Sequence, residues 1–254
     1  MAVVIKMNLV FTDFEGTLKC NRKLSLLEIK TLNDFLMYNK IIILTDSKIS
    51  EVKEYVDTYT QKIDIFSTLE GIYYQDGKQK SHLISKYIIE TINESFKDDI
   101  HTAYGEGDEG GFVYKYHDIL KSLYPDTQKR LHNLSYYVIA IKIDKKIDLL
   151  DFIKKAGLSS EIIGEDAKYS LIKIKNNFIK KVEVVKYYKN KYPNHKTIGV
   201  GDSIVDFEFI NQCDIKVAMN NASEALKEKV DIVTYKTNNE AGLIYFLDDI
   251  CKLK

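Results

Sequence analysis

The chain is expected to fold as an α/β protein, a parallel sheet with flanking helices interrupted by a separate α+β unit. Three observations predict this. Short, predominantly apolar runs at Asn8–Thr12, Ile41–Leu44 and Thr197–Val200 have the composition of parallel strands covered on both faces. Amphipathic helical patterns separate such runs, as the crossovers of a parallel sheet require. The alternation stops in the middle of the chain and resumes in its last third.

The elements follow in order. The first strand, Asn8–Thr12, ends at the acidic turn Asp13-Phe-Glu-Gly-Thr17. Ser25 with Glu28 reads as a capping box, in which each side chain satisfies the other's free backbone N–H. Ile29, Leu32, Phe35 and Leu36 then share one helical face. After the second strand, Ile41–Leu44, a second amphipathic helix turns Ile49, Val52, Val56 and Tyr59 inward.

The middle mixes helices over Leu83–Phe96 and Phe112–Leu123, the strand Tyr136–Ile143, a helix over Leu149–Ala156 and the strand Tyr169–Ile174. Its Gly105–Gly111 stretch reads as a flexible acidic loop. The last third returns to a helix (Val182–Tyr188), the strand Thr197–Val200 and another helix. The short strands Ile215–Ala218 and Asp231–Thr234 and a helix ending near Leu247 complete it. Residues 1–78 and 176–254 are therefore expected to build one core, with 79–175 inserted as an α+β domain.

Bulk properties bound the function. With 37 basic and 37 acidic residues, the chain lacks the basic excess of a nucleic-acid or membrane-surface binder. Cys20, Cys213 and Cys251 form no CxxC pair, and the five histidines show no metal-ligand spacing. The apolar start is broken by Lys6 and reads as strand rather than signal peptide. No apolar run approaches membrane-spanning length. A cytoplasmic monomer or homodimer acting on a small molecule, with neither nucleic acid nor membrane as partner, is the expectation.

Two acidic turns carry the chemistry. Asp13-Phe-Glu-Gly-Thr17 ends a parallel strand, and ligands in open α/β sheets bind at the carboxyl ends of strands. Gly16 lets the backbone turn sharply. Gly201-Asp-Ser-Ile-Val-Asp206 also follows a parallel strand and opens a helix. Helix capping and the positive end of the helix dipole explain one carboxylate there, but two less readily. Hard cations such as Mg²⁺ take oxygen ligands from a few carboxylates. Asp13, Asp202 and Asp206 would supply them if the two strands lie side by side.

These residues resemble the motifs of the haloacid dehalogenase (HAD) superfamily. Asp13–Thr17 is similar to its DxDGT motif and Gly201–Asp206 to GDSxND. Val217-Ala-Met-Asn-Asn-Ala222 resembles the family's VAMGNA segment. Val230–Thr234 with Asn239–Gly242 resembles the tail of the Cof-type branch, which carries an inserted C2-type cap. Thr45-Asp-Ser-Lys-Ile-Ser-Glu51 is similar to a stretch of mannosyl-3-phosphoglycerate phosphatases. The resemblance covers both outer thirds; for the middle it rests on position and length.

The resemblance implies a Rossmann-like core and a magnesium-dependent phosphatase acting on a phosphosugar, a sugar-acid phosphate or a similar small phosphate ester. Asp13 would attack phosphorus and become an aspartyl-phosphate. Asp13, Asp202 and the backbone carbonyl of Glu15 would hold Mg²⁺, with Asp206 supporting. Thr45 would donate to a phosphoryl oxygen, or Ser47 in its place if Lys48 anchors the alignment. Gly16, Thr17, Ser47 and Lys48 fall on the substrate side. Lys181, or its neighbour Lys180, would balance the charge of nucleophile and phosphate; Lys181 gives Val184, Val185 and Tyr188 the family's apolar positions. The inserted domain would cap the crevice. Lys129, Arg130 and Lys168 are weaker candidates for a second anionic group of the substrate.

Glu15 departs from the family pattern, in which an Asp acts as general acid and base. Glu places its carboxyl about 1.5 Å further out, and a misplacement of about 1 Å can cost roughly 100-fold in rate. Two other outcomes stay open, and Glu15 motivates the second. One is phosphomutase-type transfer to a second hydroxyl. The other is a catalytically weakened protein that binds a phosphometabolite or a partner.

Overall fold

The apolar runs become the centre of a sheet. A computed structural model describes residues 7–69, 71–107, 110–115, 130–176 and 180–252. In chain order its first elements are β1 (Asn8–Thr12), α1 (Leu26–Phe35), β2 (Lys40–Thr45), α2 (Ile49–Asp57), β3 (Asp64–Ser67), β4 (Ile72–Gln75) and β5 (Lys78–Ser81). There follow α3 (Lys86–Ser95), β6 (Ile100–Gly107), β7 (Gly110–Tyr114), β8 (Tyr136–Lys142), α4 (Lys146–Lys155), β9 (Leu158–Glu165) and β10 (Tyr169–Asn176). The last are α5 (Lys181–Lys191), β11 (Lys196–Gly201), α6 (Phe207–Ile210), β12 (Ile215–Ala218), α7 (Glu224–Lys227), β13 (Ile232–Val233) and α8 (Gly242–Lys252).

The chain divides into two compact units, one of Met1–Leu69, Tyr73–Lys80 and Lys180–Lys254, the other of Glu70–Ile72 and Ser81–Ile179. The first holds a sheet of order β13-β12-β11-β1-β2-β3-β4-β5. Pairing is parallel from β13 to β3 and antiparallel at β3–β4. Leu9, Val10, Phe11 and Ile41–Leu44 are fully buried, each contributing about 1.5–3 kcal/mol by leaving water. β3 was not anticipated. It opens on Asp64, buried because Tyr188 donates its hydroxyl to Oδ2 at 2.5 Å and Lys40 pairs with it at 2.9 Å.

α1 begins as the Ser25–Glu28 pattern predicts. Glu28 N–H donates to Ser25 Oγ at 3.3 Å, and Ser25 N–H donates to Glu28 Oε2 at 2.8 Å. The Arg22 guanidinium adds a fork onto both Glu28 oxygens, at 2.6 and 2.9 Å. Arg22 lowers the Glu28 carboxyl from 4.5 to about 2, against the opposing effect of burial. A carboxylate depressed in the folded state adds stability above its ordinary pKa and loses it as the pH falls through the folded value. Glu28→Gln should therefore cost about 1–2 kcal/mol at pH 7. Urea unfolding should show that difference shrinking between pH 4.5 and pH 2; a pH-independent difference would remove the ion pair as its cause.

The second unit holds an antiparallel sheet of order β7-β6-β8-β10-β9. Its core gathers Ile89, Ile92, Ala103, Tyr137, Ile139, Leu149, Ile153 and Ile172, with Tyr137 donating its hydroxyl to Asn93 Oδ1 at 2.7 Å.

Two expectations are corrected here. Phe112–Tyr114 belong to β7, not to a helix; the helix expected onward to Leu123 lies outside the described residues beyond Lys115. Gly105–Gly107 and Gly110–Gly111 are the facing ends of the β6–β7 hairpin, not a loop. The glycines serve close approach. A Cβ on Gly105 would lie 2.3 Å from the Tyr136 carbonyl oxygen, and one on Gly107 would lie 2.1 Å from that of Asn133. β9, also unanticipated, is an edge strand with Ile162 and Ile163 largely exposed.

Candidate active site

The register of β1 on β11 sets the site. Thr12 lies opposite Val200, so Asp13 and Asp202, just beyond the strand ends, emerge at the same edge. Asp13 N–H donates to the Val200 carbonyl at 3.1 Å, extending the ladder by one residue. The chain then turns. Glu15 is extended, Gly16 has φ +70°, and Lys19 N–H donates to the Phe14 carbonyl at 2.9 Å. Gly16 is required twice, since its φ is left-handed and a Cβ there would sit 2.2 Å from Asp202 Oδ2.

The second turn is built around Asp206, which is 1% exposed. Its Oδ2 accepts from the N–H groups of Asp202 and Ser203 at 3.4 and 3.2 Å. Gly201 leaves it room; a Cβ there would come within 2.7 Å of the Asp206 Cβ. Asp206 Oδ1 meets Lys181, the first residue of α5, at 2.9 Å. The same ammonium donates to Asp13 Oδ1 at 2.7 Å. Of the two candidate lysines, Lys181 reaches Asp13, while Lys180 is exposed.

Burial raises the Asp13 carboxyl to about 7, with Lys181 pulling it down and Asp206 pushing it up. Burial and the charge of Asp206 also raise Asp202, against a hydrogen bond from Thr17 Oγ1 at 3.4 Å. Burial disfavours the Lys181 charge, but Asp13 and Asp206 outweigh it and hold the lysine as an ammonium. Carboxylate oxygens of Asp13, Asp202 and Asp206 lie within 4.8 Å of one another. Three hard oxygen donors so close, two of them made reluctant to ionise by burial and by the charge of the third, suit a small divalent cation such as Mg²⁺.

β2 brings its end to the same edge, since Thr12 of β1 pairs with Ile43. Thr45 is buried and its Oγ1 accepts from Ser47 N–H at 3.0 Å. Ser67 Oγ donates to the Ser47 carbonyl at 2.8 Å. Lys48 is exposed at the start of α2. The Glu15 carboxylate does not join the acidic cluster; it is 54% exposed and pairs with Lys19 at 2.8 Å. Arg130 and Lys168 are exposed in the second unit, and Lys129 lies outside the described residues.

Two contributors escaped the sequence reading. Asn221 donates Nδ2–H to the Gly16 carbonyl at 2.8 Å and accepts at Oδ1 from Asn238 N–H at 2.9 Å. Asn238 in turn donates to the Lys19 carbonyl at 2.9 Å. Together they tie the turn after β1 at both ends. The signal available was Asn220-Asn221 directly after the short strand β12 at the same sheet edge. Asp46, discussed below, also went unused.

A family model described as haloacid dehalogenase-like hydrolase matches residues 10–247. A phosphoglycolate phosphatase of Staphylothermus marinus is 44% identical over 62 residues, covering 24% of this chain and 26% of the relative. Phosphoglycolate phosphatase 2 of Saccharolobus solfataricus is 32% identical over 107 residues, covering 39% of this chain and 46% of the relative. The chain thus spans less than half the length of these curated relatives. Among solved structures, a Thermotoga maritima protein superposes with a TM-score of 0.63 at 16% identity, over 96% of this chain and 97% of its own. A protein from Bacteroides thetaiotaomicron, described among phosphatases of the HAD superfamily, gives 0.61 at 18% identity over 99% and 97%. At such identities the likeness is one of fold.

Proposed function

The chain belongs to the haloacid dehalogenase-like hydrolases, and on that footing we propose that it is a magnesium-dependent phosphatase of small phosphorylated metabolites, acting through an aspartyl-phosphate on Asp13. One observation carries the reading. The Lys181 ammonium bridges Asp13 and Asp206, with Asp202 alongside, at the carboxyl edge of adjacent parallel strands.

Each residue has work in this scheme. Lys181 holds Asp13 by Oδ1 and leaves Oδ2 to attack phosphorus. Thr45 Oγ1 accepts from Ser47 N–H, so its own proton is left to donate to a phosphoryl oxygen. Ser47 and the exposed Lys48 remain the substrate-side candidates, whereas Thr17 is buried against Asp202 and the Gly16 carbonyl is taken by Asn221, so these two shape the turn instead. Both oxygens of Asp206 already hold partners, so it orients Lys181 and Asp202 and supports the cation from behind. Asp13, Asp202 and the backbone carbonyl of Glu15 would hold Mg²⁺. When bound, the cation offsets phosphate charge and aligns the ester for in-line displacement. Glu15 leaves Lys19 to protonate the departing oxygen, then takes a proton from the water that hydrolyses the acyl-phosphate.

The substrate class is a phosphosugar, a sugar-acid phosphate or a comparably small ester. The names of the curated relatives support a small phosphate ester, and the likeness of Thr45–Glu51 to mannosyl-3-phosphoglycerate phosphatases rests on that stretch alone. Phosphate release from an aryl phosphate and a phosphosugar panel, with and without Mg²⁺, tests the reading. Metal-dependent release supports it, and no release from either by a folded protein would sink it.

The exposure of Glu15 and its pairing with Lys19 favour slow turnover, and a weakened enzyme that chiefly binds is the second reading. Glu15→Asp should keep or raise kcat, by up to roughly 10-fold, because the shorter acid matches the usual reach. A loss beyond 10-fold in single-turnover rate would mean that the site is built around the longer acid.

A further inference from the structure

We propose that Asp46 sets the charge of the leaving group, so that the site prefers phosphate esters of neutral or cationic alcohols over esters whose alcohol carries a carboxylate. The inference rests on the phosphatase reading and narrows its substrate class, placing sugar-acid phosphates below neutral phosphosugars.

Asp46 follows Thr45 at the carboxyl end of β2, beside β1. Its Oδ2 lies 3.7 Å from Lys181 Nζ, the atom that also holds Asp13. Its Oδ1 takes a hydrogen bond from the Thr68 hydroxyl just past β3. The side chain is thus fixed on two sides, yet it stays 74% exposed. Asp13 and Asp46 are separated by no more than one lysine head group.

The other carboxylates at this edge are occupied. Asp13 is the nucleophile, Asp206 accepts backbone N–H groups, Asp202 accepts from Thr17, and Glu15 pairs with Lys19, a cation of its own. Asp46 has no step of its own in hydrolysis, but its carboxylate, only partly offset by Lys181, adds exposed negative charge beside Asp13 at the end of β2. Any phosphate meets that charge equally. A second anionic group on the alcohol meets it again, whereas an ammonium group is attracted. At about 8 Å and an effective dielectric constant of about 40, one unit charge opposite another changes binding about five-fold. The names of the curated relatives point to phosphoglycolate, a carboxylate-bearing ester; Asp46 marks this chain as poorly suited to it.

The test compares kcat/KM, with Mg²⁺ present, for phosphoglycolate, 2-hydroxyethyl phosphate and phosphoethanolamine, which are similar in size and differ in the charge of the alcohol. In Asp46→Asn the phosphoglycolate-to-hydroxyethyl ratio should rise about five-fold and the phosphoethanolamine-to-hydroxyethyl ratio should fall about five-fold. Asp46→Glu, which keeps the charge, should leave both ratios near wild type. Discrimination by the wild type should also shrink in 1 M salt, where screening acts over about 3 Å. Turnover of the neutral ester with both ratios unchanged in Asp46→Asn overturns the role of Asp46 and leaves the phosphatase standing. Turnover of none of the three esters by the wild type overturns the substrate assignment and counts against the phosphatase as well.

Discussion

Asp13→Asn should remove phosphate release by at least about 10⁴-fold, the scale seen when an essential nucleophile is deleted, while the protein stays folded. The amide keeps the shape of the carboxylate but cannot form the acyl-phosphate, and it withdraws the charge that Lys181 grips at 2.7 Å. Folding should not suffer, because burial already disfavours the ionised carboxyl and raises it to about 7 from 3.8. An acid raised in the folded state costs stability as the unfolded chain ionises ahead of it, so in chelator the variant should gain on the wild type as the pH rises from about 3.8 to about 7 and hold that gain above it. Steady-state release and thermal unfolding at pH 5 and pH 8 check both halves. Retained activity would eliminate the covalent route.

Lys181→Met carries the next largest effect. The methionine fills the space of the lysine stem but supplies no ammonium. Asp13 and Asp206, at 13% and 2% side-chain exposure, then share the edge without their counter-charge. Removing one partner of a buried ion pair costs about 3–5 kcal/mol, and here proton uptake by Asp13 would relieve part of that. The rate should fall about 10²–10³-fold, the usual cost of losing a preorganised charge that steadies the reacting groups. Lys181→Arg should not restore it, because a planar fork cannot replace a point donor shared by two carboxylates. Measured kcat within three-fold of wild type in either variant would strip Lys181 of its role.

The strands around the site were legible because burial on both faces leaves one solution, apolar residues at every position, as in Ile41–Leu44. α1 was legible from a local hydrogen-bond reciprocity that needs only Ser25 and Glu28. β3 was not, because its first residue, Asp64, is a charge whose partners, Tyr188 and Lys40, are distant in sequence. β5, Lys78–Ser81, is exposed throughout and carries no apolar alternation. Gly105 and Gly107 read as loop because a sequence does not distinguish glycine needed for freedom from glycine needed for thinness; the carbonyls of Tyr136 and Asn133 decide for thinness. At the site, Asp13, Asp202 and Asp206 could be read because each belongs to a short acidic turn, whereas the resemblance left Lys180 and Lys181 open and only the fold brings Lys181 to Asp13. The Asn221–Asn238 tie and the position of Asp46 arise only when separate segments meet, and nothing local announces them.

The pairing of β1 with β11, which joins Asn8 to Lys196, has a consequence for the protein while it is being made. Asp13 is synthesised well before the strand that completes its surroundings, which begins about 180 residues later at Lys196. At about 5–20 residues per second, Asp13 waits roughly ten to forty seconds for Lys181, Asp202 and Asp206. Throughout that interval the acidic cluster proposed to carry hydrolysis is incomplete. A product that stops before β11 lacks Asp202 and Asp206 and cannot assemble the cluster at all.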